Sequence, residues 1–221
     1  MSLPSRDFKL ATGEARHPFV YVIDGDTEVR RSLHHEISTY GFISWPFASP
    51  SDFLENLPTL QPAPIMVEVG MGPISGLQLL RIIYERGIRW PVIAMAGHTD
   101  IRTAVQAIKL GAIDILEKPL EFEVLKTSLQ AAMAQLSDIK KEAEIRDGSH
   151  RLFDSLSTRE VEVMMACMDG LSNKLAAYRL SLSVRTIEMH RANALLKLKV
   201  KSIAEVVQLA RAAGITLTAR K

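Results

Sequence analysis

The chain has 221 residues, 47% hydrophobic and 24% charged, enough for two ordinary domains each with its own core. No stretch approaches the roughly 20 apolar residues that span a bilayer, and the charged first 17 residues do not read as a secretory signal. The lone Cys167 excludes an internal disulfide and suits a reducing, cytoplasmic setting. The histidines form no spaced cluster with cysteine or aspartate, so neither a zinc-type metal site nor a cofactor is expected. The net charge of +2 hides an asymmetry: residues 1–137 carry 12 Lys/Arg against 15 Asp/Glu, and residues 138–221 carry 15 against 10. A basic half joined to an acidic half suggests a nucleic-acid module attached to something else.

After the extension 1–17, strands are expected at 19–24, 43–48, 65–69, 92–96 and 114–116, alternating with helices at 28–40, 51–57, 77–86, 101–110 and from 122 onward. Short strands alternating with helices argue for βαβ units around a parallel sheet. Ser75-Gly76-Leu77-Gln78 reads as a capping box opening the third helix, and Gly111 closes the fourth. The expected fold class is an α/β doubly wound, flavodoxin-like domain over 18–137, with its site at the C-terminal ends of the strands.

The fifth helix is expected to overrun that domain. Leu129, Ala132, Leu136, Ile139 and Ala143 follow spacings of 3, 4, 3 and 4, a heptad seam that suits dimerisation. The same residues also suit an amphipathic helix packed on its own sheet. Asp147-Gly148-Ser149 then reads as the helix end and a flexible joint, making 138–150 a helical extension and linker. From 151 to 221 the pattern is an all-α, four-helix domain. Ser157-Thr158-Arg159-Glu160 is a capping box, Gly170 a stop, Ser172 and Ser183 open two further helices, and Ser202-Ile203-Ala204-Glu205 is another box. Two helices joined by the tight turn Ser181-Leu182-Ser183 make a helix-turn-helix.

The segment 152–214 resembles the LuxR-type helix-turn-helix, and its FixJ branch in particular through GLSNKLAAYRL, SVRTIEMHRAN and KSIAEVVQLA. At 100° per residue, Val184, Ile187, Ala194 and Leu198 share one face of the third helix of that domain and are expected in its core. The opposite face carries Arg185, Glu188, Met189, Ala192 and Asn193, a surface for a DNA major groove. With Thr186 these residues, together with Lys174, Arg191 and Lys201, form the expected DNA-binding set; Lys197 and Lys199 are further candidates for phosphate contact. Glu188 would repel phosphates, so it either accepts from a cytosine amino group or orients Arg185 or Arg191. Leu196 falls outward, and Cys167 is expected as a buried, inert thiol.

The strings YVIDGDTEVRRSL, ISGLQLLRIIYERG, PVIAMAGHTDIRTAVQAIKLGA and DILEKP resemble a receiver domain, the phosphoacceptor module of bacterial two-component signalling. The resemblance implies an acidic pair that holds Mg²⁺, an aspartate acceptor, a hydroxyl, a lysine and an aromatic switch residue. This chain departs from the pattern. The acidic pair is Asp24-Gly25, with Asp26 nearby; the acceptor position is Glu68; the hydroxyl position is Ala96; the switch position is Ile115; only Lys118 remains. Mg²⁺ wants near-octahedral oxygen coordination. Glu68 carries its carboxylate one methylene too far out for in-line transfer. The pocket therefore reads as a degenerate, non-phosphorylatable pseudo-receiver, in which Glu68 either mimics a phosphoryl group against Lys118 or merely fills the space.

Together these features predict a FixJ/NarL-type response regulator: not an enzyme, but a dimeric transcription regulator independent of phosphate. Its expected partners are double-stranded promoter DNA, a second copy of the chain and RNA polymerase, with no membrane. Two other readings fit the residues: a conventional regulator switched by a sensor histidine kinase, or a receiver that serves as an interaction module under a protein partner.

Overall fold

The structure, a computed structural model, describes residues 18–97 and 101–215; the expected extension 1–17 lies outside them. The chain separates into two compact units between Asp138 and Ile139.

In the first unit, β1 (Phe19–Ile23), β2 (Ile43–Phe47), β3 (Ile65–Glu68), β4 (Val92–Ala96) and β5 (Ala112–Glu117) form one parallel sheet in the order β2-β1-β3-β4-β5. Helices α1 (Thr27–Thr39), α2 (Pro50–Asn56), α3 (Gly76–Glu85), α4 (Ile101–Lys109) and α5 (Phe122–Asp154) connect or follow the strands. This is the flavodoxin-like topology expected from the alternating pattern. The apolar run of β1 has its cause in burial on both faces. Tyr21 and Ile23 enter a core with Phe47, Phe53, Val67 and Leu79, whereas Val20 and Val22 enter another with Leu33, Ile37, Leu125 and Leu129. Strand β5 is longer than the expected 114–116, because Ala112 also pairs with β4 across a bulge.

The helix end expected at Asp147-Gly148-Ser149 is not there, and α5 runs unbroken to Asp154. A single glycine inside a helix costs only about 1 kcal/mol relative to alanine. Ser149 is buried and its hydroxyl donates to the Ile145 carbonyl at 2.8 Å, a bond made inside the helix. Phe153 then packs into the core of the second unit, so the last turns of α5 belong to that core. The dimerisation seam also needs correction. Leu129 and Ala132 are fully buried in the first unit's own core, and Leu136 is 2% exposed. Those three positions offer nothing to a second copy; of the seam, only Ile139 and Ala143 keep partial exposure.

The second unit continues with α6 (Thr158–Met168), α7 (Asn173–Leu180), α8 (Val184–Leu198) and α9 (Ile203–Ala213). Serines cap all four, at Ser157, Ser172, Ser183 and Ser202. The box at Ser202 differs in detail from its expected form, because the Glu205 carboxylate accepts from the Lys201 N–H and the Ser202 hydroxyl. These bonds hold the Glu205 carboxyl below its ordinary range. Ser181, in the left-handed region at φ 54°, makes the turn between α7 and α8. Ile187, Ala194 and Leu198 are buried as their spacing predicts. Val184 is not: at the first position of α8 it is 37% exposed.

Candidate functional site

The first candidate site lies where the expected pocket residues converge, at the C-terminal ends of β1, β3, β4 and β5. Helix α3 starts against the end of β3 so closely that a Cβ on Gly76 would sit 2.2 Å from the Glu68 carbonyl oxygen. Glycine is therefore required there by close approach. Asp24, 1% exposed, sends Oδ2 to Lys118 Nζ at 2.7 Å, and Oδ1 accepts from the Asp26 N–H at 2.8 Å. Glu68 Oε2 forms a second ion pair with the same ammonium, and its Oε1 accepts from the Gly70 N–H at 3.1 Å. The Lys118 N–H in turn donates to the Ala96 carbonyl at 2.8 Å, which seats the lysine at the end of β5.

Burial alone would lower the Lys118 pKa, but hydrogen bonds and charge from Asp24 and Glu68 outweigh it, so the ammonium is held above its ordinary range. Lys118 is thus the cation shared by the two carboxylates. Asp26 does not complete a metal site, because its Oδ1 caps α1 by accepting from the Glu28 N–H at 2.8 Å. Gly25 offers no ligand, although a Cβ there would meet only Met71 Sδ, at an ordinary contact distance of 3.9 Å. Ala96 is buried and has no hydroxyl, and Ile115 packs half-buried against the core without a ring. Asp24 and Glu68 each commit one oxygen to Lys118 and the other to a backbone N–H, a poor fit to Mg²⁺, which needs several free oxygen donors.

The second candidate site is the outward face of α8. Arg185, Glu188, Met189, Ala192 and Asn193 are all exposed there, as are Lys174 on α7, and Lys199 and Lys201. Leu196 is outward too, at 79% exposure. Thr186 is half-buried, its N–H and hydroxyl both engaged with the capping Ser183 Oγ at 3.0 and 2.7 Å. Two expected phosphate contacts are engaged by partners within the domain. Lys197 Nζ pairs with the buried Glu160 at 2.7 Å. Burial would raise the Glu160 carboxyl, but Lys197 and the hydrogen bonds from Ser157 win and hold it below its ordinary range. Arg191 is half-buried, donates to Asn173 Oδ1 at 3.4 Å, and lies near enough to Cys167 to influence its thiol. Cys167 is half-buried rather than buried, and burial still pushes its thiol up, away from the reactive thiolate.

Asn173 was not among the expected residues. It reaches both Arg191 and, through Nδ2 at 3.5 Å, Glu188. Its position just after the Ser172 cap marks it only as a helix start; the contact with α8 is tertiary. Among the described residues there is no group of three or more acidic, histidine or cysteine side chains placed to hold a metal, and no helix long and apolar enough to cross a membrane.

The fold and the two surfaces define a receiver followed by a helix-turn-helix. Residues 20–130 match the response regulator receiver domain, and residues 154–210 match the bacterial regulatory proteins of the luxR family. The chain belongs to the response-regulator transcription factors of FixJ type, with receiver and LuxR-type domains. It is 39% identical over 197 residues to the transcriptional regulatory protein FixJ of Bradyrhizobium diazoefficiens, covering 89% of this chain and 96% of that one. Among solved structures it is similar to the response regulator StyR, at 31% identity and TM-score 0.77, over 89% of this chain and 99% of that one. It is also similar to full-length FixJ from B. japonicum, at 36% identity and TM-score 0.56, over 90% and 98%.

Proposed function

We propose that this regulator binds promoter DNA as a dimer in the cytoplasm and works without phosphorylation. The observation that carries the reading is the Lys118 ammonium shared by Asp24 and Glu68. A receiver lysine ordinarily pairs with a transferred phosphoryl group; here Glu68 supplies that negative charge permanently, with its second oxygen satisfied by the Gly70 N–H. Gly25, Ala96 and Ile115 remove a metal ligand, a hydroxyl donor and a switch ring. The reading is of a non-catalytic protein, with promoter DNA, a second copy of the chain and RNA polymerase as partners and no role for a histidine kinase. Dimerisation is supported by α4, where Ile101, Val105 and Ile108 lie exposed at spacings of 4 and 3 along one stripe.

Acetyl phosphate with Mg²⁺ is expected to leave the mass of the full chain unchanged. Light scattering at micromolar concentration is expected to give a dimer with or without it, and Val105→Glu with Ile108→Glu to give a monomer. A gain of one phosphoryl group accompanied by tighter DNA binding would sink the reading. Glu68→Ala separates its two forms: a phosphate mimic loses dimer and DNA affinity, and a packed relic keeps both.

DNA contact is supported by the outward basic and polar face of α8 with Lys174 beside it. Lys174→Ala is expected to weaken binding to every duplex almost equally and to reduce the slope of log affinity against log salt by about one. A slope measured by titration across salt concentrations and found unchanged would remove Lys174 from the phosphate contacts.

A further inference from the structure

On a surface that meets a polyanion, Glu188 is the anomaly. It is exposed on α8 among Arg185, Met189, Ala192 and Asn193, and a carboxylate there repels phosphates unless it points at a hydrogen-bond donor on a base edge. Its surroundings are ordered. The Asn173 side chain, at the first position of α7, donates from Nδ2 to Glu188 Oε1 at 3.5 Å and accepts at Oδ1 from Arg191 Nη1 at 3.4 Å. One amide thereby uses both ends, and this orientation of the amide is the one that serves both partners. Glu188 and Arg191 stand three residues apart on α8, so the bridge runs from one helix to the other and back. Arg191 itself is half-buried and lies near enough to Cys167 to influence its thiol.

We propose that Asn173 is the positioning residue for base recognition: it holds Glu188 so that the carboxylate accepts from the exocyclic amino group of a cytosine in the major groove. Of the base edges in that groove, cytosine presents its amino donor alone, whereas adenine pairs its donor with an acceptor that a carboxylate repels. An unbraced glutamate on an exposed helix face samples many rotamers and loses that freedom on binding. Bracing from α7 removes part of that loss and limits which base is reached. The inference rests on the reading of α8 as the recognition helix.

The test uses the full chain and a pool of random duplexes, followed by titration of the best duplex and its single-base-pair variants. The wild-type protein is expected to prefer cytosine at one base pair by about tenfold. Glu188→Gln abolishes that preference. Asn173→Ala and Asn173→Asp each reduce it to about threefold or less, the second by placing a like charge beside Glu188. The double variant Asn173→Ala with Glu188→Gln shows no loss beyond Glu188→Gln alone, since both act on one contact. Melting curves identify any variant that fails to fold, and the aspartate variant keeps an acceptor for Arg191 if the alanine variant does not survive. A folded Asn173 variant with undiminished cytosine preference overturns the proposal. If the wild-type chain enriches no sequence, the recognition reading of α8 falls, and the proposal with it.

Discussion

Replacing Lys118 with methionine is expected to destabilise the first unit by about 3 kcal/mol, the largest effect of any single pocket substitution. Removing one partner of a buried ion pair leaves the other charge uncompensated, at a cost of about 3–5 kcal/mol. Here two carboxylates lose the same cation. Asp24 has almost no access to water, while the Glu68 side chain keeps 16% exposure and is partly rehydrated, which favours the lower end of that range. Both tryptophans, Trp45 and Trp90, lie in this unit, so denaturant titration followed by tryptophan fluorescence reports on it selectively. Glu68→Gln added to Lys118→Met should recover part of the loss by removing one stranded charge. A cost below about 1 kcal/mol would mean that water, rather than Lys118, satisfies the carboxylates. Because the lysine pKa is raised, its contribution is present below the ordinary lysine value and is lost only as pH climbs through the higher folded one.

Glu160→Ala is expected to cost the second unit about 2 kcal/mol, read as a shift in the loss of helical circular dichroism. The Glu160 carboxylate accepts from the Ser157 N–H at 2.7 Å, completing the capping box of α6, and pairs at 2.7 Å with Lys197 near the end of α8. Loss of the capping-box bond leaves the Ser157 N–H unpaired and accounts for about 1.5 kcal/mol. The broken ion pair adds about 0.5 kcal/mol, a small share because Lys197 is substantially exposed. The pH dependence follows from the lowered carboxyl: its contribution is present above the unfolded-state value and is lost as pH falls through the folded one, below the ordinary carboxylate range. Wild-type stability should therefore fall in acid where a Glu160→Gln variant is flatter. Equal acid sensitivity in the two proteins would show that Glu160 carries no such linkage.

Local chemistry made most of the architecture readable. Alternating apolar runs and helical periods predicted the parallel sheet, and serine caps marked the starts of α3 and of α6 to α9. These signals are short-range, since a cap or a period acts within a turn or two of its own residues. The same locality explains the misreadings. Gly148 looked like a stop because a glycine weakens a helix, but Ser149 and Phe153 are held by burial, a tertiary gain that outweighs the local cost. The heptad seam was real as a stripe, yet a stripe does not say what covers it; the sheet of the chain itself buries Leu129 and Ala132.

The pocket divides in the same way. Which groups are present could be read off the chain: Asp24, Glu68 and Lys118 with charge, and Gly25, Ala96 and Ile115 without the metal ligand, hydroxyl or ring. Residue identity is covalent and needs no fold to state. How the charges pair depends on the packed fold. It set the Lys118 ammonium between two carboxylates at the ends of β1 and β3, assigned Asp26 to a helix cap, and engaged Lys197 with Glu160 and Arg191 with Asn173. It also joined Asn173 to Glu188 across the turn between α7 and α8. Long side chains choose among several partners within reach, and which partner lies within reach is a property of the packed helices and strands, not of the chain order.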